Sequence, residues 1–111
     1  MLSDALDAAT ETVPEDARLI RDAIAAIAAL NARYPTEDGD RFLFLHRRRL
    51  WNPSEGVWMG WERKRGKLAE LNHLLRGATD TSYAVVSSPL PVDIRYVITL
   101  DADTRLLRGT V

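Results

Sequence analysis

Ile94-Arg95-Tyr96-Val97-Ile98-Thr99-Leu100-Asp101-Ala102-Asp103 is the stretch on which the fold of this chain turns. Five of its first seven residues favour a buried strand, and Arg95 is the one charge among them. Such a strand delivers two carboxylates at its C-terminal end. In an open parallel sheet the crevice beyond the carboxyl ends of the strands is the ligand site, and two acids there can share a hard divalent cation bound to a diphosphate. The pattern therefore points to an α/β fold with a nucleotide-sugar site. The competing reading is that Asp-x-Asp after a strand caps a turn or the next helix. The apolar run in front favours the site, because two acids so placed are not an ordinary solvated charge run.

Working back from this stretch, Ser88-Pro89-Leu90-Pro91 is a connection, Tyr83 to Ser87 a short strand and Ala78 to Asp80 a turn. Glu62 to Arg76 reads as a helix, with Leu68, Leu71, Leu74 and Leu75 on one face and Gly77 placed to end it. Arg41 to Leu45 is an apolar, aromatic-rich strand after the turn Thr36 to Asp40. Leu19, Ile20, Ala23, Ile24, Ile27 and Leu30 recur at spacings of three and four, which predicts an amphipathic helix ending at Tyr34-Pro35. Thr12-Val13-Pro14-Glu15 has the form of a capping box for it, with Pro14 in the first turn. Residues 1–12 are a weakly structured or helical lead-in, and 13–111 are the α/β core of one domain.

Composition excludes several classes. With 111 residues, 46% hydrophobic and 28% charged, the chain has an ordinary soluble composition and one modest core. No run of about 18 apolar residues spans a bilayer. The absence of cysteine removes disulfides, thiolate metal sites and a cysteine nucleophile. His46 and His73 offer no zinc spacing. Gly60 to Lys67 is not a phosphate-binding P-loop, since five residues separate its glycines and Leu68 stands where Ser or Thr must hold magnesium.

The net charge of -1 hides an asymmetry. Arg41 to Lys67 holds eight of the fifteen Lys/Arg but two of the sixteen acids, leaving seven cations against fourteen acids elsewhere. A basic centre between acidic flanks suggests an anionic partner, most simply phosphate. Within it lies a loop from His46 to Trp61, dense in Arg, Trp and Gly. Trp51, Trp58 and Trp61 either lid the core or form a binding surface in which Trp stacks on sugar rings and Arg grips phosphates. Both readings stay open.

Phe42 to Asn52 (FLFLHRRRLWN), Gly60 to Leu68 (GWERKRGKL) with Leu71-Asn72, and Tyr96 to Thr104 (YVITLDADT) together resemble the glycosyltransferase region of the bacterial cyclic β-1,2-glucan synthases. The resemblance covers roughly Pro14 to Gly109, with three long blocks in the expected order. Leu107 departs from it, standing where proline is expected after the motif.

That resemblance implies a partial GT-A (Rossmann-like) nucleotide-sugar-binding domain, a mostly parallel sheet flanked by helices, ending just after the Asp-x-Asp motif. It further implies a parent that transfers glucose from UDP-glucose to a growing β-1,2-glucan at the cytoplasmic face of the bacterial inner membrane, held there by segments this chain lacks. Asp103 and Asp101 would hold Mn²⁺ or Mg²⁺ on the diphosphate, and Lys64, Arg65, Lys67 and Asn72 would line the nucleotide. Carboxylates suit these metals, which stabilise a departing UDP. Inversion at the sugar needs an acceptor-side base, expected downstream of Asp103, so the fragment alone is expected to be inactive. The nearest alternatives are a binding-only fragment and an inactive truncated product. A nucleic-acid-binding module, suggested by His46-Arg47-Arg48-Arg49 beside tryptophans, is disfavoured by the acidic flanks, and no nucleic-acid partner is expected.

Overall fold

A computed structural model describes residues 1–105, 107 and 109. The elements run β1 (Leu2–Asp4), α1 (Pro14–Arg33), β2 (Leu45–Arg47), β3 (Leu50–Asn52), β4 (Val57–Met59), α2 (Arg63–Leu75) and β5 (Tyr83–Val86). Positions 106, 108, 110 and 111, the end of the expected core, lie outside the described residues.

The α/β class holds, with a mixed rather than mostly parallel sheet. Its order is β1-β2-β5. β1 pairs parallel to β2, matching Leu2 with Leu45 and Asp4 with Arg47, while β5 pairs antiparallel to β2. A bulge between His46 and Arg47 shifts that second ladder, bringing Arg47 opposite Tyr83. Leu45, Leu71 and Tyr83 form the core under α2, with Leu2, Leu43, Leu74, Leu75 and Leu90 packed against them. α1 makes the crossover between β1 and β2, as a parallel pair requires.

Each helix starts slightly away from the place its sequence suggests. Val13, not Thr12, caps α1, and its N–H donates to the Asp16 carboxylate at 2.9 Å. Asp16 wins over Glu15 because Arg49 already fixes its carboxylate, with both guanidinium Nη groups within 3.0 Å. Beyond α1, the Asn31 amide clamps the backbone N–H and C=O of Phe42 at 2.8 and 2.9 Å, aligning the run into β2. α2 opens on a left-handed pair, its N-cap Glu62 (φ 52°) and its first residue Arg63 (φ 53°), and just past its end at Leu75 the chain turns away through Gly77, whose φ of 91° suits glycine.

Three further expectations change. The lead-in is a strand, β1, followed by a bridge between Ala8 and Trp58, because non-local pairing overrides weak local helix preference. The strand expected at 41–45 is displaced to Leu45–Arg47, since its polar end is neutralised inside the protein. The tryptophan loop is a hairpin, β3 against β4, closed by an Asn52 side chain that accepts the Ser54 and Glu55 N–H groups.

The segment 94–100 is the largest correction. Among the described residues it joins no strand, and it is exposed throughout, Tyr96 to 90% and Ile98 to 71%. An apolar strand is buried only when neighbours flank both edges and a layer covers each face. β1, β2 and β5 provide none of these for it.

Candidate functional site

The arginine-rich run alternates as a strand does. Arg47 and Arg49 point inward and Arg48 outward. Arg47 is fully buried, and each of its guanidinium nitrogens is occupied. Nε donates to Asp4 Oδ1 at 2.6 Å, Nη1 to Glu70 Oε2 at 2.8 Å and to the Trp61 carbonyl at 3.0 Å, and Nη2 to the Arg63 carbonyl at 3.0 Å. Glu70 in turn accepts the Ser82 N–H and hydroxyl at 2.7 and 2.5 Å. One cation thus ties β1, β2, α2 and the approach to β5 together.

Protonation follows this geometry. Burial alone would raise the Asp4 and Glu70 carboxyls. At Asp4 hydrogen bonds and charge from Arg47 and then Lys67 outweigh it, at Glu70 the Ser82 hydroxyl and then Arg47 do so, and both lie below the usual carboxylate range. Asp16 is lowered chiefly by its Arg49 hydrogen bond. Burial lowers His46, whose Nδ1 lies 2.8 Å from the Ser3 hydroxyl. Burial also pushes the Tyr83 phenol up to about 12.

The network opens at one end into a cavity of about 540 Å³ between α2, β1 and the segment carrying the Asp-x-Asp motif. Lys67 reaches from it to Asp4 Oδ2 at 3.1 Å. Lys64 crosses its mouth and forms an ion pair with Asp101, both side chains more than half exposed. Leu68 and Leu71 supply an apolar floor. Two lysines, each paired with a carboxylate, and an apolar wall line this concave surface.

Of the residues singled out in the sequence, Lys64, Lys67 and Asp101 converge on this cavity. Arg65 does not; it is exposed and paired with Glu62 one turn back. Asn72 is exposed on α2, and Asp103 is exposed beyond the cavity lining. Among the described residues no cluster of three or more His, Cys, Asp or Glu side chains could enclose a metal. By donor chemistry alone the carboxylates of Asp101 and Asp103 are the kind of ligand that Mg²⁺ and Mn²⁺ take.

The basic centre also changes meaning. Six of its eight cations are ion-paired: Arg47, Arg49, Arg63, Lys64, Arg65 and Lys67. Asp4, Asp7 and Asp16 from the acidic flank fold directly onto it, so most of the asymmetry is internal neutralisation. With Arg47 and Arg49 buried, the motive for a nucleic-acid module falls away. Asp4 and Glu70 went unrecognised in the sequence, although the in-out alternation of Arg47-Arg48-Arg49 signals that buried acids must exist elsewhere to meet them.

No described helix is long and apolar enough to cross a membrane. No family model matches the chain. Over all 111 residues it is 53% identical to the cyclic beta-(1,2)-glucan synthase NdvB of Rhizobium meliloti (strain 1021), and it spans 4% of that protein's length. At that identity, along its full length, the chain is a relative of one segment of a cyclic β-(1,2)-glucan synthase.

Proposed function

We propose that this chain is the donor-side portion of a GT-A-type glucosyltransferase domain, whose parent transfers glucose from UDP-glucose to a growing β-1,2-glucan at the inner membrane. The observation that carries the reading is the convergence of Lys64 and Lys67 with Asp101 on one cavity. Lys64 and Lys67 would meet the diphosphate as point charges, Lys64 exchanging its exposed ion pair with Asp101 for the phosphate. Asp101 and Asp103 are the residues that would hold Mn²⁺ or Mg²⁺; when bound, such an ion neutralises charge developing on the departing UDP.

The remaining residues position this half-site. Asp4 fixes Lys67, Arg47 fixes Asp4, and Glu70 fixes Arg47 from the same helix that carries both lysines. The acceptor-side base belongs to other parts of the parent, and this segment supplies donor binding without turnover.

Calorimetric titration of UDP and UDP-glucose, with and without Mn²⁺, tests this. Binding that requires the metal, weakens in Lys64→Ala and disappears in Asp103→Ala supports the reading. Metal-independent binding unaffected by either change overturns it.

A further inference from the structure

The cavity above leaves the tryptophan hairpin without a role, and its construction is specific. Trp61 lies on the turn between β4 and α2, where three separate features immobilise its backbone. Its carbonyl accepts a hydrogen bond from the buried Arg47 at 3.0 Å. Gly66 packs so closely that a Cβ there would lie 2.0 Å from the same carbonyl. The next two residues, Glu62 and Arg63, both hold left-handed backbone conformations that side chains other than glycine rarely adopt. Yet the indole so firmly based is 46% exposed. Trp51 on β3 is 49% exposed and leans on Trp58 with ring centroids 5.9 Å apart. Both rings keep about half their surface open to solvent, Trp61 above a fixed backbone and Trp51 against Trp58.

Between them lies a cavity of about 470 Å³ that also takes in Asn52, Glu55 and Glu62. The nearby guanidinium of Arg63 is committed to both carboxylate oxygens of Asp7, at 2.6 and 2.8 Å, and to Glu55 at 3.1 Å. A phosphate would therefore meet a rim already rich in carboxylate. A neutral polyhydroxylated ring suits it better, since its C–H faces lie against the indoles while its hydroxyls donate to Glu55 and Glu62. Among the described residues neither Trp51 nor Trp61 Nε1 has a protein acceptor, leaving two donors for sugar oxygens.

We propose that the Trp51–Trp61 cavity is a carbohydrate subsite that seats a glucopyranose unit of a β-1,2-glucan, separate from the Lys64–Lys67–Asp101 cavity; the choice of glucan rests on the glucan-synthase reading above. The site grips the polymer rather than the nucleotide, and its two indoles act as stacking platforms.

Nuclear magnetic resonance of the three indole N–H signals of the 111-residue chain provides the test, with sophorose and linear β-1,2-glucooligosaccharides as probes and UDP-glucose titrated into the same samples. Saturable shifts of the Trp51 and Trp61 signals larger than that of Trp58 are expected. Trp61→Ala and Trp51→Ala should each weaken binding by about fivefold or more, the loss usual for an aromatic anchor. Trp51→Ala removes a ring from an exposed hairpin face and keeps the test valid should Trp61→Ala fail to fold. The proposal is overturned if neither indole shifts up to the solubility limit of the sugars, or if folded variants bind as the parent chain does. UDP-glucose binding without oligosaccharide shifts removes the subsite alone, whereas oligosaccharide shifts without UDP-glucose binding remove the donor reading and leave the subsite standing.

Discussion

Replacing Arg47 with methionine keeps most of its buried volume and deletes its charge. Two carboxylates, Asp4 at 22% and Glu70 at 12% exposure, are then left in a poorly solvated interior without their main cation, and the Trp61 and Arg63 carbonyls lose their donors. Breaking a buried ion pair in this way costs about 3–5 kcal/mol. Since domains of this size are stable by only about 5–15 kcal/mol, the variant is marginal. For a chain of this length, about 4 °C of melting temperature is lost per kcal/mol, so a fall of roughly 12–20 °C is expected. Urea unfolding followed by tryptophan fluorescence reads the same loss as a lower midpoint. The triple variant Asp4→Asn, Arg47→Met, Glu70→Gln should recover part of it, because the penalty lies in the charges left unpaired. The pH dependence supplies a second signature. Asp4 and Glu70 titrate below their ordinary 3.8 and 4.5 when folded, so the stability they contribute is present above those values and lost as pH falls through the lowered ones. Arg47→Met should shrink that acid loss. A destabilisation below about 1 kcal/mol, the size of one ordinary surface pair, would refute the assignment of Arg47 as the central tie.

Gly66→Ala should destabilise the protein despite alanine's helix advantage of about 1 kcal/mol, because its Cβ would collide with the Trp61 carbonyl; thermal unfolding checks the sign. His46 should titrate below 6.5, so that its contribution is present above that pH and lost on acidification; its ring-proton shifts followed by NMR report this, and a value at or above 6.5 contradicts the burial. Tyr83 should ionise only near pH 12, and stability should fall as pH rises above the ordinary phenol value of 10; absorbance titration beside Tyr83→Phe isolates its signal. Asp16→Ala should cost about 2–4 kcal/mol in chemical denaturation, since it removes both the cap at Val13 and the partner of buried Arg49.

The helices were legible because their information is local. The leucines of α2 and the Leu19 to Leu30 periodicity of α1 mark the two helices within a few residues, although of that stripe only Ile27 is buried while Leu19, Ile24 and Leu30 stay exposed, and Pro14, Pro35 and Gly77 flank the ends. β1 was not legible, since Leu2-Ser3-Asp4 becomes a strand only by meeting Leu45–Arg47 from across α1. The charges misled for the same reason: a run of cations reads as a surface until Asp4, Asp16 and Glu70 are seen to fold over it. Half of the expected donor-binding residues could be placed together, because Lys64 and Lys67 share one side of a helix three residues apart, whereas Arg65 falls on another face. The 94–100 segment carries the strongest strand pattern in the chain, and pattern alone cannot supply the neighbours that a strand requires.

β1 and β2 are joined through contacts 43 residues apart in the chain, such as the pair between Asp4 and Arg47. Closing a loop of that length precedes any reward from the ladder, so β1 cannot pair until β2 has been made. During synthesis at about 5–20 residues per second, β1 leaves the ribosome roughly 2–9 s before its partner strand. Throughout that interval α1 can form behind it while the Asp4 carboxylate stays hydrated. Its desolvation waits on the arrival of the guanidinium that makes it tolerable, so the order of translation itself spares the nascent chain an unpaired interior charge.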